Sequence, residues 1–136
     1  MYYLAWFHEI PEEKLALAAG GKGASLCRMY RNQMPVPEGF IVGADAFNSF
    51  MEENGLCQQV LNLIEEIDWN NNQNLTTTAQ KIRSLICEAP LPSRFLGPIK
   101  EYYAALGENV PVAVRSSSTV EDLEEASCAG QQDTYL

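Results

Sequence analysis

The sequence predicts an α+β fold, rich in helix and carrying a small mixed sheet. Three observations point there. Apolar residues recur at i, i+3 and i+4 through several segments, the spacing of amphipathic helices. Short apolar and aromatic runs stand between them and suit strands. The joints are chemically marked: Pro35-Val36-Pro37-Glu38-Gly39 fixes φ twice, Asn54-Gly55 suits a left-handed helix cap, and Ala89-Pro90-Leu91-Pro92 breaks a helix.

Taken in order, residues 3–7 form a first strand, with aromatic side chains able to bury on two faces. Residues 11–19 then have the Glu, Leu and Ala content of a helix that ends at Gly20-Gly21. A second helix covers 24–32 with Leu26, Met29 and Tyr30 sharing a face, which puts Gly23 at a helix N-terminus. The strand Phe40-Ile41-Val42 follows the proline turn. A helix over 44–53 buries Phe47, Phe50 and Met51, and another from Leu56 carries Val60, Leu61, Ile64 and Ile67. The asparagine-rich segment 68–74 is a surface excursion, not a domain boundary. Thr76 or Thr77 caps the next helix, whose stripe is Ala79, Ile82, Leu85 and Ile86. A last helix over 93–106, with Phe95, Ile99, Tyr102, Tyr103 and Leu106 inward, stops at Gly107 and leads to a strand over 110–115.

Composition narrows the function. With 136 residues and 46% hydrophobic content, the chain is sized for one domain with its own core. Nine basic against eighteen acidic residues give a net charge of -9, which repels a phosphate backbone and argues against nucleic acid as a partner. Cys27, Cys57, Cys87 and Cys128 form no C-x-x-C pair and have only His8 to help them, so zinc is not expected. His8 itself, between Phe7 and Glu9, reads as a packing or surface residue. The apolar N-terminus is too short and lacks the basic region of a signal peptide. No apolar run nears the ~18 residues of a membrane span, so a cytoplasmic location is expected. Residues 131–136 read as the start of a strand with nothing after it, which leads us to expect a chain cut from something longer.

Two stretches carry candidate chemistry. Gly20-Gly21-Lys22-Gly23 sets a cation beside approachable backbone ahead of a helix, an arrangement that suits phosphate as well as a plain turn with a solvated lysine. It is not a Walker A loop, since Gly23 stands where Ser or Thr is needed and Ala16 where glycine is. The second stretch is Val112-Ala113-Val114-Arg115-Ser116-Ser117-Ser118-Thr119. Its guanidinium ends an apolar strand and is expected to be half-buried, so it needs anions around it. Either Glu121 or Asp122 pairs with it as scaffolding, or a polyphosphate does, helped by the hydroxyls. No G-x-S-x-G elbow surrounds these serines, which argues against a serine hydrolase.

Beyond it, Thr119 and Asp122 have the spacing of a capping box, and the acids at 121, 122, 124 and 125 read as a solvated surface before a Mg²⁺ site. Along Gly130-Gln131-Gln132-Asp133-Thr134, strand alternation aims Gln132 and Thr134 one way and Gln131 and Asp133 the other.

Four blocks in one order carry a family resemblance: Gly20-Gly21-Lys22-Gly23-Ala24-Ser25-Leu26, Val36-Pro37-Glu38-Gly39-Phe40, Val114-Arg115-Ser116-Ser117 with Glu121-Asp122-Leu123, and Ala126-Ser127 with Ala129-Gly130-Gln131-Gln132-Asp133-Thr134. They resemble the N-terminal ATP-binding domain of the phosphoenolpyruvate synthase and pyruvate phosphate dikinase family, to which rifampin phosphotransferase is closely related. The resemblance implies that residues 1–136 are the N-terminal part of an ATP-grasp nucleotide-binding domain, truncated at its C-terminus. It implies a reaction in which ATP gives AMP and its β-phosphoryl group passes through a histidine on a separate domain to pyruvate, or to a rifamycin-type antibiotic.

On this resemblance Lys22 and Arg115 match residues that engage ATP phosphates and are the candidates for catalytic roles. Gly130, Gln132, Asp133 and Thr134 match the loop that closes over the nucleotide. The family pattern departs here at Ser118, Val120, Glu124-Glu125 and Cys128, which soften loop packing and leave the charged groups in place. The implied partners are ATP with Mg²⁺, the second ATP-grasp lobe, the phosphohistidine domain and the acceptor-binding domain, all expected outside this chain together with the metal ligands. The fragment alone is therefore expected to be inactive. A non-catalytic nucleotide-binding or interaction module is the alternative.

Overall fold

Residues 3–119 and 134–136 are described by a computed structural model. In order they form β1 (Leu4–Trp6), a 3-10 turn (Glu12–Lys14), α1 (Leu15–Arg31), β2 (Phe40–Val42), α2 (Ala44–Glu53), α3 (Leu56–Glu65), α4 (Asn72–Glu88), α5 (Ser93–Leu106), β3 (Val114–Arg115) and β4 (Thr134–Tyr135). The prevalence of helix agrees with an α+β class. The expected small mixed sheet is instead, among the described residues, two separate antiparallel ribbons, β1 with β2 and β3 with β4.

The chain groups into two compact units, Met1–Ala46 with Ser93–Leu136, and Phe47–Pro92. The core of the first unit is Ala5, Phe7, Ile10, Leu15, Ala19, Ala24 and Cys27, with Ile41 and Tyr30 against it. Its logic is a stripe on α1. Leu15, Ala19, Gly23 and Cys27 recur every four residues, and all are buried. Small residues in that stripe allow close approach: a Cβ at Gly23 would lie 3.2 Å from Ile41 Cδ1 and 2.8 Å from the Ala19 methyl. Arg28 and Arg31, in the last turn of this helix, reach back to Glu12, with Arg28 Nε 2.6 Å from its carboxylate. Arg31 also donates to the Ile10 carbonyl, which fastens the segment between β1 and the helix.

Aromatic rings join α5 to the first ribbon. Trp6 stacks on Tyr102 with centroids 4.8 Å apart, Phe40 meets the same Tyr102 at 5.2 Å, and Tyr3 meets Phe95 at 5.4 Å. Such pairs add about 0.5–1.5 kcal/mol each beyond the area they bury. Register follows from Ala5 facing the core between Leu4 and Trp6, opposite Ile41. The proline turn delivers β2 into that register. Gly39 accepts from Phe7 N–H at 3.3 Å, and a Cβ on Gly39 would stand 2.6 Å from the Phe7 ring.

Several expected boundaries hold, namely those of α2, of α5 and the start of α3, and Gly55 and Gly107 take the positive φ their stop positions require. Others move. The run Leu15–Arg31 is two helical stretches meeting at a kink at non-helical Gly20, as the glycine pair led us to expect, and Gly23 lies in the first turn of the second. The second stretch begins at the glycines and not at Ala24. The first turn of α4 begins at Asn72, because Asn71 supplies the cap and accepts from Gln73 and Asn74 N–H. Thr76 and Thr77 lie inside that helix and donate to carbonyls four residues back. Phe47 and Tyr103, expected inward, are exposed; the Tyr103 hydroxyl donates to the Val110 carbonyl at 2.9 Å. The asparagine-rich segment lies inside the second unit, as expected of an excursion.

No described helix is long and apolar enough to cross a membrane. The described residues contain no cluster of three or more His, Cys, Asp or Glu side chains fit to hold a metal.

The packing yields two expectations. Gly39→Ala forces a methyl group into the buried Phe7 ring and should cost about 1–3 kcal/mol in urea unfolding followed by tryptophan fluorescence. Burial pushes the Cys27 thiol up, outweighing the nearby Arg31 cation. Iodoacetamide should therefore modify the exposed Cys57 and Cys87 in the folded protein and reach Cys27 only on unfolding, as peptide mapping will report. The unfolded chain releases the Cys27 proton at lower pH than the folded one, so this contribution is whole below the ordinary thiol range and declines as pH rises through it.

Candidate functional site

The two candidate stretches meet. Gly20 has φ 67° and ψ 178°, a combination open essentially to glycine alone, and it bends the helical run there. Past the bend, Gly21, Lys22 and Gly23 begin a new first turn, the part of a helix whose N–H groups take partners from outside it. Ordinarily the residue at the bend would cap them with its side chain. Glycine has none. The cap comes instead from a distant segment: Ser118 O accepts from Gly21 N–H at 3.0 Å and Ser117 Oγ accepts from Gly23 N–H at 3.1 Å.

This contact also explains why glycine stands at the bend. A Cβ on Gly20 would lie 2.5 Å from Ser117 Oγ and 2.6 Å from Ser118 O. The approachable backbone that the sequence offers to a phosphate is thus approached by the serine run itself. Gly23 N–H is committed to Ser117, so the first-turn donors are in part consumed within the protein.

Lys22 lies between the two bonded glycines and is half-buried. Arg115 ends β3 and is exposed, which corrects the expectation of a half-buried guanidinium. The reason is in its neighbours. Val112 and Val114 are themselves 37% and 62% exposed, and of the strand expected over 110–115 only Val114–Arg115 forms, so the apolar run preceding the arginine is not sunk in the core of the described residues. Antiparallel pairing sets Arg115 directly opposite Thr134 and Val114 opposite Tyr135. Of the six candidate residues, the structure thus places Lys22, Arg115 and Thr134 on segments joined by hydrogen bonding, the first through Gly21 and Gly23, the other two through the ribbon.

Gly130, Gln132 and Asp133 lie outside the described residues. So do Glu121 and Asp122, the acidic run, the capping-box partner of Thr119, and Cys128. His8 is exposed and lies flat against Tyr30 at 6.4 Å, in keeping with a packing or surface role.

Residues missed as functional are Ser117, whose hydroxyl accepts from the N–H of a helix residue 94 positions away, and Gly20 as the bend that needs this cap. The glycine pair beside a hydroxyl run was the signal available. What it lacked was a distance.

Residues 16–136 match the family described as pyruvate phosphate dikinase, AMP/ATP-binding domain. The chain belongs to this family. Members similar along its length include a probable phosphoenolpyruvate synthase of Methanocaldococcus jannaschii, 45% identical with all of this chain covered, and the phosphoenolpyruvate synthase of Helicobacter pylori, 37% identical with the same coverage. That of Escherichia coli is 40% identical over 86% of this chain. The chain spans 12%, 18% and 16% of the lengths of these three relatives. Every site described above lies within the stretch matched to the AMP/ATP-binding domain.

For this domain, Gly20→Ala combines a glycine-only backbone conformation with contacts of 2.5–2.8 Å to Ser117 and Ser118. It should destabilise by about 2–4 kcal/mol in urea unfolding and raise hydrogen exchange at the amides of Gly21 and Gly23. Unchanged exchange at those two amides would contradict the cap.

Proposed function

We propose that this chain forms one wall of the ATP site in a phosphotransferase of the phosphoenolpyruvate synthase type, with Lys22 and Arg115 engaging the nucleotide phosphates. The observation that carries this reading is the pair of hydrogen bonds between Gly21 and Gly23 and the serine run. They fasten the backbone around Lys22 to the segment that begins at Arg115, in a chain belonging to an AMP/ATP-binding family. Two cations on mutually bonded segments suit a substrate with adjacent phosphates. An exposed guanidinium can present its fork of donors to phosphate oxygens without first giving up a buried partner.

In the whole protein, ATP gives AMP, and the β-phosphoryl group passes by way of a phosphohistidine to pyruvate, forming phosphoenolpyruvate. Lys22 and Arg115 offset the charge that gathers on the phosphoryl oxygens. Positioning and charge stabilisation make up most of what a protein contributes to such a transfer. Residues 130–134, with Gly130, Gln132, Asp133 and Thr134, cover the phosphates and exclude water. Mg²⁺ accompanies the nucleotide, and its protein ligands belong to the second ATP-grasp lobe. The phosphohistidine and acceptor-binding domains complete the enzyme, and the cytoplasm, where ATP is plentiful, is its location. The shared name of the three relatives favours pyruvate over a rifamycin-type antibiotic as acceptor.

The test uses the full-length protein. Arg115→Ala should leave unfolding unchanged, because the side chain is exposed, and should abolish transfer of label from β-³²P-ATP to the carrier histidine. Labelling at the wild-type rate would refute the role given to Arg115.

A further inference from the structure

We propose that Ser117 is a positioning residue for nucleotide binding, acting through Lys22. The idea rests on Lys22 and Arg115 contacting ATP phosphates, as proposed above. Lys22 is bracketed: Gly21 N–H is held by Ser118 O and Gly23 N–H by Ser117 Oγ, so the residues on both sides of the lysine are tied to the same short run. That run starts two residues past Arg115, and its tie therefore sets the separation between the two cations.

The two ties differ in chemistry. Any residue at 118 supplies a carbonyl, whereas the tie at 117 needs a side-chain oxygen. Ser117 and Ser118 are half-buried between exposed Ser116 and Thr119, and the Ser117 hydroxyl meets the helix turn through its bond from Gly23 N–H. Losing it frees Gly23 N–H in a part-buried position and leaves the turn held on one side of Lys22 only. A long lysine side chain aims at phosphate no better than its backbone is fixed, and a displacement on the order of 1 Å is enough to weaken such a contact.

The experiment is a double-mutant cycle in the full-length protein, reading the equilibrium Kd for Mg·ATP at a temperature where circular dichroism reports every variant folded. Ser117→Ala should weaken binding about tenfold, and Ser117→Thr, which keeps the hydroxyl, should stay within about twofold of wild type. In a Lys22→Ala background, Ser117→Ala should change Kd by less than about twofold, because the group it positions is gone.

Equal effects of Ser117→Ala in the two backgrounds would overturn the proposal, as would loss of stability with no change in Kd. Both would leave the phosphate reading standing, provided that Lys22→Ala and Arg115→Ala still bind poorly. Wild-type affinity in those two single variants would instead remove the phosphate reading and the proposal together. Should Ser117→Ala not fold, Ser117→Cys, of similar shape and weaker acceptor strength, carries the same cycle with the same outcomes.

Discussion

A helix turn capped from the other end of the chain is the constraint on which the first unit depends. At Gly20 the helical run bends through a conformation that only glycine adopts readily, and the Gly21 and Gly23 N–H groups past the bend are met by Ser118 and Ser117. Neither half is self-sufficient. A side chain at position 20 would collide with the serines, and the turn past Gly20 draws its cap from them in place of a side chain at the bend. Each half explains the other, and together they bring the lysine-bearing turn to the strand that ends in Arg115.

The remaining packing of that unit serves the same placement. Small residues on α1 let it lie close to β2 at Gly23 and Ile41, while the aromatic contacts of Trp6, Phe40 and Tyr102 fix α5 against the ribbon. The helix α5 leads through Gly107 and Asn109, both with positive φ, into the segment carrying β3. The route from the ribbon to the arginine strand is therefore continuous. Glycine stands where a Cβ would collide with packed neighbours: Gly20 against Ser117 and Ser118, Gly23 against Ala19 and Ile41, and Gly39 against the Phe7 ring. The family motifs that contain those glycines thus have a structural basis as well as a proposed chemical one.

Lys22 and Arg115 differ in how they are held. Lys22 sits half-buried between two tethered residues, and Arg115 is exposed opposite Thr134. In the function we propose, a fixed cation and an accessible one would make complementary partners for a polyphosphate. Internal use of Gly23 N–H changes the role of the glycine motif. Its backbone on both sides of Lys22 is bonded to the serine run.

Local chemistry alone determined much of this protein. Apolar spacing and stop residues defined α2 and α5 and the start of α3, and the order of four short motifs was sufficient to identify the family, because each of these signals is complete within a few neighbouring residues. Where a choice depended on competing local partners, the outcome moved: Asn71 captured the cap of α4 ahead of the threonines. Only the tertiary structure decided which strands pair, that Arg115 is exposed despite its apolar strand, and that Ser117 caps a turn 94 residues away. These are contacts between segments distant in the chain. A residue's own neighbours in sequence specify its propensity but not what lies across from it, and the fold supplied that partner.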